Sequence, residues 1–163
     1  MKTKQEIFDS LISEKLGMLR GAAYRILGNA AEVDEVVQEA LIRAWNKFDL
    51  FHREARLSSW VYRITVNLCC DRIRQRKREA EKLKAYAENR ADDAGPSENR
   101  QLDALTEAVA ELPKLYRDAI LIGVLGDLGT ANAAATLRCS VNTMYQRIHK
   151  AKRLLREKLE VTA

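Results

Sequence analysis

The stretch AEVDEVVQEALIRAW, residues 31–45, decides the fold class of this chain. Its apolar residues recur every three or four positions and form one stripe on a helix: Val33, Val36, Val37, Ala40, Leu41, Ala44 and Trp45. The opposite face is polar: Asp34, Glu35, Gln38, Glu39 and Arg43. This pattern predicts an amphipathic helix over about residues 31–48, with one buried side and one exposed acidic side.

The flanking segments follow the same helical spacing, which predicts an all-α protein. Proline is absent from the first 95 residues, and no alternating apolar pattern marks a strand. We expect a first helix over residues 4–27 that ends at Gly28, because glycine favours a helix C-terminus. A third helix is expected over residues 60–84, with Ser58 or Ser59 as its N-cap.

A change of composition divides the chain. The segment AENRADDAGPSEN, residues 87–99, is small and acidic and contains the first proline, which is typical of a flexible linker. We therefore predict two small helical domains, residues 1–85 and 102–163, joined by a flexible acidic linker over residues 86–101. Neither domain is long enough for a large core, so each should be only marginally stable alone.

The second domain has the spacing of a helix-turn-helix. A short Ala-rich segment over residues 130–137 precedes a basic amphipathic helix over residues 141–159. The buried stripe of this helix is predicted to be Val141, Met144, Ile148, Ala151, Leu155 and Leu159. The other side, with Arg147 at its flank, is the candidate DNA-contacting face: Asn142, Thr143, Gln146, Arg147, Lys150 and Arg153. Short polar side chains suit base edges and cations suit phosphates, although a basic helix that packs on the protein or on a partner is the alternative.

The third helix carries a second candidate face. At 100° per residue, an arc of about 80° holds Trp60, Arg63, Asn67, Asp71, Arg74 and Arg78. The opposite arc can form core: Val61, Ile64, Thr65, Leu68, Cys69 and Ile73. An indole, an amide and guanidinium groups on one face can stack an unpaired base and bind phosphates. Alternatively, Trp60 anchors a core edge and RIRQRKR, residues 72–78, is a solvated charge run.

Charge is distributed in blocks along the chain. Residues 1–78 hold 15 Lys and Arg against 10 Asp and Glu, residues 79–112 hold 4 against 9, and residues 113–163 hold 9 against 4. Two basic blocks separated by an acidic one predict two contacts with a polyanion.

Other patterns disfavour several classes of protein. The longest uncharged apolar stretch, residues 119–126, is far shorter than the roughly 20 residues of a membrane span, and residues 1–11 lack the apolar core of a signal peptide. A cytoplasmic protein without membrane insertion is therefore expected. The three cysteines form no CxxC, which predicts reduced, packed thiols and no metal site.

The sequence patterns also give little support to catalysis. His52 and His149 have no HExxH or paired-carboxylate setting. The glycines of GVLGDLG, residues 123–129, do not have the spacing of a phosphate loop and are expected to mark an interrupted helix. We expect neither an enzyme nor a cofactor, and no small-molecule substrate.

Four segments together resemble a known family. They are AYRILGNAAEVDEVVQEALIRAWNKFD (23–49), SSWVYRITVNLCCDRIRQRKR (58–78), ELPKLYRDAILI (111–122) and CSVNTMYQRIHKAKRLLREKL (139–159). The resemblance is to bacterial RNA polymerase sigma factors of the sigma-70 family, in the extracytoplasmic-function (ECF) group. It implies that residues 1–85 are sigma domain 2 and residues 102–163 sigma domain 4. It also implies a transcription initiation factor with core RNA polymerase, promoter DNA and an anti-sigma protein as partners.

The same resemblance implies roles for individual residues. The polymerase clamp helices would contact the polar face of the second helix: Asp34, Glu35, Gln38 and Glu39. Recognition and melting of the −10 element would use the third helix and the preceding loop, residues 49–58, and the loop would hold a flipped base. The residues implied for this role are Phe51, Arg53, Trp60, Arg63, Asn67 and Arg74. The helix over residues 141–159 would recognise the −35 element.

One segment departs from the family pattern. Where members commonly have GLSYEEIAEILG, this chain has LGTANAAATLR (128–138), so Ala133 and Thr136 replace larger apolar residues and Arg138 replaces a turn glycine. Each lost buried methylene forfeits roughly 0.8 kcal/mol, and Arg138 must avoid or bear a positive φ.

Two rival functions stay open. One is a stand-alone helix-turn-helix repressor that dimerises on a palindrome, and the other is an interaction protein that sequesters polymerase or an inhibitor.

Overall fold

The computed structural model describes residues 1–87 and 100–162, and these ranges contain helices and no strands. The predicted all-α class is confirmed, with two small helical domains. Most of the predicted flexible linker, residues 88–99, lies outside the described residues. The N-terminal domain consists of α1 (Lys4–Leu27), α2 (Ala30–Asn46), a 3₁₀ turn (Phe48–Leu50) and α3 (Leu57–Tyr86). The C-terminal domain consists of α4 (Arg100–Glu111), α5 (Lys114–Gly123), α6 (Thr130–Thr136) and α7 (Val141–Thr162).

The first helix begins and ends where the sequence predicts. At its start the Thr3 hydroxyl accepts from the Glu6 N–H at 3.2 Å, and the Glu6 carboxylate accepts from the Thr3 N–H at 2.9 Å, which is a capping box. At its end Gly28 has φ 68°, a left-handed conformation that glycine adopts without strain. The Asn29 side chain then caps α2, so the chain reverses and α2 packs against α1.

The N-terminal core forms where the apolar faces of α1, α2 and α3 meet. Most of the predicted α2 stripe is buried: Val33, Val36, Val37, Ala40 and Ala44. Leu41 is partly buried, and Trp45 lies at the edge, where its ring meets Phe8 at a centroid distance of 5.1 Å. The predicted core arc of α3 is also buried except for the partly buried Ile64: Val61, Thr65, Leu68, Cys69 and Ile73.

The predicted N-cap of α3 is wrong. The helix begins at Leu57, and Arg56 at the cap position makes no side-chain cap bond with any described residue. Ser59 is 0% exposed, and its hydroxyl accepts a hydrogen bond from Asn132 Nδ2 at 2.8 Å. Ser59 therefore lies within the first turn of α3 and not before it. Its hydroxyl joins α3 to α6 of the C-terminal domain.

The α6 and α7 helices form the predicted helix-turn-helix, and the glycine-rich segment interrupts the chain between α5 and α6. The α6 helix ends in a Schellman motif, in which the Cys139 N–H donates to Ala134 O at 3.0 Å and the Arg138 N–H donates to Ala135 O at 3.2 Å. This turn places Arg138 at φ 54°, so an arginine bears the positive φ that the family pattern assigns to glycine.

The apolar stripe of α7 is buried except at its N-terminal end. Met144, Ala151 and Leu155 are buried, and Ile148 and Leu159 are partly buried. Val141, however, is 41% exposed, so its assignment to the buried stripe is wrong. It lies in the first turn of α7, where Asn142 is also exposed.

The prediction of reduced, packed thiols is confirmed for two of the three free cysteines. Cys69 and Cys70 are buried in α3, and burial raises the pKa of Cys69 to about 12 and that of Cys70 to about 11. Cys139 is partly buried. Within residues 1–87 and 100–162, no three His, Cys, Asp or Glu side chains form a group that could hold a metal ion. No helix in those ranges has the length and apolar character that a bilayer crossing requires.

Candidate nucleic-acid interface

An aromatic pair marks the start of α3. The Phe51 and Trp60 rings lie 5.4 Å apart between centroids with 46° between their planes, and Phe51 also stacks on Phe48 at 6.1 Å. Phe51 and Trp60 are both partly buried, while Arg53, in the loop between them, is exposed. The structure thus brings two of the predicted −10 residues together, and their partly open rings offer a surface for stacking an unpaired base.

A cationic cleft adjoins Trp60. Its volume is about 430 Å³, and its lining includes Arg43, Lys47, Trp60, Arg63, Asn67 and Arg117. The cations come from both domains, since Lys114 and Arg117 of α5 also line it. A bound phosphate group would find guanidinium and ammonium donors on two sides of this cleft.

Farther along α3, the predicted DNA face meets the C-terminal domain. Arg63 donates from Nε and Nη2 to Asp118 Oδ2 at 3.2 and 2.9 Å. Asn67 Oδ1 accepts from Arg117 Nη2 at 3.3 Å, and Arg74 Nη1 donates to a backbone carbonyl of α4 at 2.8 Å. Three predicted DNA-contacting residues therefore take part in an interdomain contact.

Sequence reasoning missed the C-terminal side of this contact. The Asp118 side chain is 3% exposed, and Arg117 is buried beside it. A signal was present, because this charged pair interrupts the apolar run LYRDAILI (115–122), and buried charges need partners. Tyr62 was missed as well. Its hydroxyl donates to Leu121 O at 3.2 Å, and burial raises the pKa of Tyr62 to about 12.

The predicted polymerase-contacting face of α2 is open to solvent. Asp34, Glu35 and Gln38 are exposed, and Glu39 is partly buried. Three of them form ion pairs within the domain: Asp34 with Arg20, Glu35 with Arg72 at 3.2 Å and Glu39 with Arg43 at 2.7 Å. Beside Gln38, the exposed Ile42 and Trp45 line an apolar groove. A protein partner would meet fixed carboxylates next to an apolar surface.

The predicted −35 residues lie on the outer side of α7. Thr143 and Arg147 are partly buried. The other four are exposed: Asn142, Gln146, Lys150 and Arg153. Thr143 Oγ1 accepts from the Ser140 hydroxyl at 2.9 Å, so the helix cap uses part of its hydrogen-bonding capacity. Lys150 Nζ lies 5.1 Å from the centroid of the Tyr116 ring, a cation–π contact that holds the ammonium group near α5.

The basic run over residues 72–78 is only partly a solvated charge run. Arg76 pairs with Glu32 of α2 and donates to a carbonyl at the end of α1 at 3.1 Å. Lys77 pairs with Glu111 of α4. Several cations of the run therefore hold α3 to its neighbours, while others, such as Arg78, are exposed.

Two sequence families match the chain. Residues 11–79 match Sigma-70 region 2, and residues 102–155 match Sigma-70, region 4. The ECF RNA polymerase sigma factor SigW of Bacillus subtilis is 30% identical over 171 residues, which cover 97% of this chain and 91% of SigW. The ECF RNA polymerase sigma factor EcfG of Rhodopseudomonas palustris is 31% identical over 135 residues, which cover 82% of this chain and 75% of EcfG.

Two solved structures share the fold. The sigma factor RpoE of Bartonella quintana, solved in complex with the anti-sigma factor NepR, has a TM-score of 0.53 at 24% identity and covers 96% of this chain and 98% of its own. CnrH, solved in complex with the cytosolic domain of CnrY, has a TM-score of 0.56 at 24% identity, with coverage of 98% and 92%. Since the two family matches fall on the two helical domains and SigW aligns over nearly the whole chain, this chain belongs to the ECF group of the sigma-70 family, the transcription initiation factors.

Proposed function

We propose that this factor binds core RNA polymerase, directs it to promoters by recognising −10 and −35 elements, and helps to open the DNA. The observation that carries the proposal is the Phe51–Trp60 pair, 5.4 Å between centroids, in which Trp60 lines the cationic cleft. A partly open indole beside guanidinium groups suits a single strand, because a single strand presents both base faces and phosphates.

The proposed −10 site combines the loop before α3 with one face of that helix: Phe51, Arg53, Trp60, Arg63, Asn67 and Arg74. Stacking of an unpaired base on an aromatic ring stabilises the melted strand by about 1–3 kcal/mol per base. The guanidinium groups pair with its phosphates. The factor thereby lowers the cost of opening the duplex, while polymerase performs nucleotidyl transfer and this chain contributes no catalysis.

The proposed polymerase-binding site is the polar face of α2: Asp34, Glu35, Gln38 and Glu39. Its support is that this face is accessible and lies beside the apolar groove of Ile42 and Trp45. The carboxylates give charge complementarity to a basic partner surface, and the groove supplies apolar area.

The proposed −35 reader is the outer side of α7: Asn142, Thr143, Gln146, Arg147, Lys150 and Arg153. Amide and hydroxyl groups at its N-terminal end can pair with base edges in the major groove, and the cations can pair with flanking phosphates. The exposure of Gln146, Lys150 and Arg153 supports this assignment.

We also propose that an anti-sigma protein binds this factor, because the similar sigma factor RpoE was solved with the anti-sigma factor NepR. Action on polymerase would place the chain in the cytoplasm. The proposed function requires no metal, cofactor or small-molecule substrate of the factor's own.

The test is transcription of a genomic DNA library by purified core RNA polymerase, with and without the full chain. Defined start sites that depend on the factor are expected. Trp60→Ala should slow open-complex formation by roughly ten- to a hundredfold, because a lost base stack costs about 1–3 kcal/mol. Tyr24→Ala removes a 55% exposed aromatic from α1 and is the matched control, which should retain the wild-type rate.

A second assay measures binding to core polymerase alone. Glu35→Lys with Glu39→Lys should abolish co-purification with core polymerase, whereas Glu14→Lys with Glu81→Lys, equal in charge and placed on α1 and the far end of α3, should not. Circular dichroism checks that both variants remain helical. Retained core binding without factor-dependent start sites would favour the sequestering protein, and duplex binding without polymerase would favour the stand-alone repressor.

A further inference from the structure

We propose that the cationic cleft is a binding site for a nucleotide that carries a phosphate chain, of the nucleoside triphosphate class. Lys47, Lys114 and Arg117 would bind the phosphates, and Trp60 would stack on the base. The three cations belong to none of the surfaces assigned under the proposed function. The proposal therefore goes beyond that function and adds a small-molecule ligand, which is bound and not converted.

The observation that carries the proposal is a buried cation without an anion. Arg117 lines the cleft and is 7% exposed. Its Nη1 donates to Ala110 O at 3.5 Å and its Nη2 to Asn67 Oδ1 at 3.3 Å, so both acceptors are neutral. Its Nε has no hydrogen-bond partner among the described residues, and the neighbouring Asp118 pairs with Arg63 instead. Because an uncompensated buried cation is costly, this guanidinium indicates an anionic ligand.

Two lysines add free positive charge to the same cleft. Lys47 follows α2 and Lys114 begins α5, so they line the cleft from different domains. Both residues are exposed, and neither side chain makes a hydrogen bond or an ion pair within residues 1–87 and 100–162. An anion between them would therefore gain ammonium donors without displacing a carboxylate.

The remaining charges of the lining are already paired. Arg43 pairs with Glu39 at 2.7 Å, and Asp71, the carboxylate of the lining, pairs with Arg74. The cleft thus keeps a surplus of three positive charges, those of Lys47, Lys114 and Arg117. A single phosphate group carries a charge of about −1.5 to −2 at pH 7, so a chain of phosphates balances this surplus better than one phosphate.

An apolar part of the lining explains why the ligand would carry a base. Trp60, Ile64 and Leu68 recur along α3 at helical spacing, and all three line the cleft. The Phe51 ring packs on that of Trp60 at 5.4 Å between centroids, which restrains the indole. A nucleobase is flat and stacks on such a ring, whereas an inorganic phosphate chain makes no use of it. Under the proposed function Trp60 also serves the −10 strand, so a bound nucleotide and an unpaired strand would compete for it.

The size and construction of the cleft suit one small molecule. Its volume of about 430 Å³ lies within the roughly 300–1,000 Å³ of ligand pockets. Its walls are joined by Asn67 with Arg117 and by Arg63 with Asp118. These bonds are part of the interdomain contact, by which we mean the bonds between α3 and α4–α6. A nucleotide in the cleft would therefore contact both domains at once.

The first test is a titration of the full chain with adenosine triphosphate, in EDTA so that Mg²⁺ does not occupy the phosphates. The chain has two tryptophans, so Trp45→Phe leaves Trp60 as the indole whose fluorescence reports stacking. In this background Lys47→Ala with Lys114→Ala should weaken binding at least about tenfold, because charge-assisted hydrogen bonds are lost. Lys15→Ala with Lys152→Ala, equal in charge and exposed on α1 and α7 outside the lining, should bind like the parent.

The second test asks whether the buried cation contributes. Adenosine triphosphate should raise the Tm of wild type, since a ligand that binds the native state stabilises it. Arg117→Met keeps the length of the side chain and removes its charge, so this variant should lose most of the Tm shift. If Arg117→Met does not fold, the lysine pair decides, because Lys47 and Lys114 are exposed.

The third test separates the base from the phosphates by isothermal titration calorimetry. Inorganic tripolyphosphate supplies the phosphate chain alone and should bind wild type at least about fivefold more weakly than adenosine triphosphate, because it lacks the stacked base. Trp60→Ala should lower the affinity for adenosine triphosphate to that for tripolyphosphate. Equal affinity of wild type for the two probes would overturn the nucleotide site.

The other outcomes also decide the proposal. Absence of adenosine triphosphate binding, or binding that the change of Lys47 and Lys114 does not weaken, would overturn it. The genomic-library transcription assay decides the proposed function separately. Factor-dependent start sites without nucleotide binding would remove this site and leave the sigma function standing, whereas nucleotide binding without start sites would do the reverse.

Discussion

The Arg63 guanidinium of α3 donates two hydrogen bonds, at 2.9 and 3.2 Å, to the same oxygen of Asp118 in α5. The two side chains differ in their access to water: that of Arg63 is 31% exposed and that of Asp118 is 3% exposed. The guanidinium can therefore turn towards solvent when its partner is removed. The carboxylate cannot do so while the domains stay together.

This asymmetry predicts unequal costs of truncation. Arg63→Ala should lower the free energy of unfolding by about 3 kcal/mol, because it leaves a buried carboxylate without its cation. Asp118→Ala should cost less, since Arg63 can recover hydration. Urea unfolding of both variants and of the double variant completes the double-mutant cycle, in which the double variant should lose less than the sum of the single changes. Equal single costs that simply add would contradict the predicted coupling.

The Glu111 bridge predicts a pH dependence of stability. Hydrogen bonds from Lys158 and Lys77 hold the pKa of Glu111 below its ordinary value of 4.5. A carboxyl whose pKa is lower in the folded state adds stability above its unfolded pKa, and this stability is lost as pH falls through the lowered value. The pKa of Lys77 is raised above 10.5, chiefly by the hydrogen bond to Glu111, so its contribution is complete below 10.5 and is lost as pH rises through the raised value.

The measurement is the free energy of unfolding as a function of pH. Below about pH 4.5, wild type should lose stability more steeply than Glu111→Gln, because the variant has no carboxyl to protonate at that position. Glu157→Gln is the matched control on α7 and should keep the wild-type slope. A Glu111→Gln profile that parallels wild type through the acid range would show that the bridge does not contribute.

The helices were predictable because their signals are local. Gly28 and Asn29 adjoin in the sequence, and together they end α1 and cap α2. The apolar period of α2 identified its buried face, and only its edge differs, where Leu41 is partly buried and Trp45 is exposed. Capping, glycine stops and amphipathic spacing act within a few residues, so a single sequence contains them.

The interdomain contact was not predictable, since its partners are distant in sequence. Ser59 and Asn132 are separated by 73 positions, and no local rule distinguishes a serine that caps a helix from one that binds a remote amide. The helical wheel of α3 grouped Arg63 with Arg74 correctly. It could not show that the C-terminal domain would lie against that face, because a wheel describes one helix in isolation.

The turn of the helix-turn-helix predicts a stabilising substitution. Arg138 adopts φ 54° at the end of α6, where a residue with a Cβ is strained and glycine is not. Arg138→Gly should raise the free energy of unfolding by about 1 kcal/mol. Arg138→Ala keeps the Cβ and should show no such gain. Chemical denaturation of both variants checks this, and equal stability of the two would mean that the side chain, not the backbone angle, sets the energy of the turn.

The last prediction separates base reading from phosphate binding on α7. Gln146 is exposed near the N-terminal end of the helix, whereas Lys150 lies one turn later and is held 5.1 Å from the Tyr116 ring centroid. Loss of a base contact should cost about 1–3 kcal/mol on the preferred sequence alone, so Gln146→Ala should relax −35 preference. Loss of a phosphate contact weakens all sequences alike, so Lys150→Ala should lower affinity evenly and reduce the salt slope by about one.

The assay is binding of the polymerase holoenzyme to a panel of −35 variants at several salt concentrations. Lys152→Ala removes the same charge from an exposed position outside the predicted reading face, so it should retain the wild-type salt slope and serves as the control for Lys150. If Gln146→Ala and Lys150→Ala leave every promoter unaffected, α7 is not a DNA reader. The small residues of α6 and the strained turn at Arg138 would then belong to a domain that serves only the interdomain contact and protein partners.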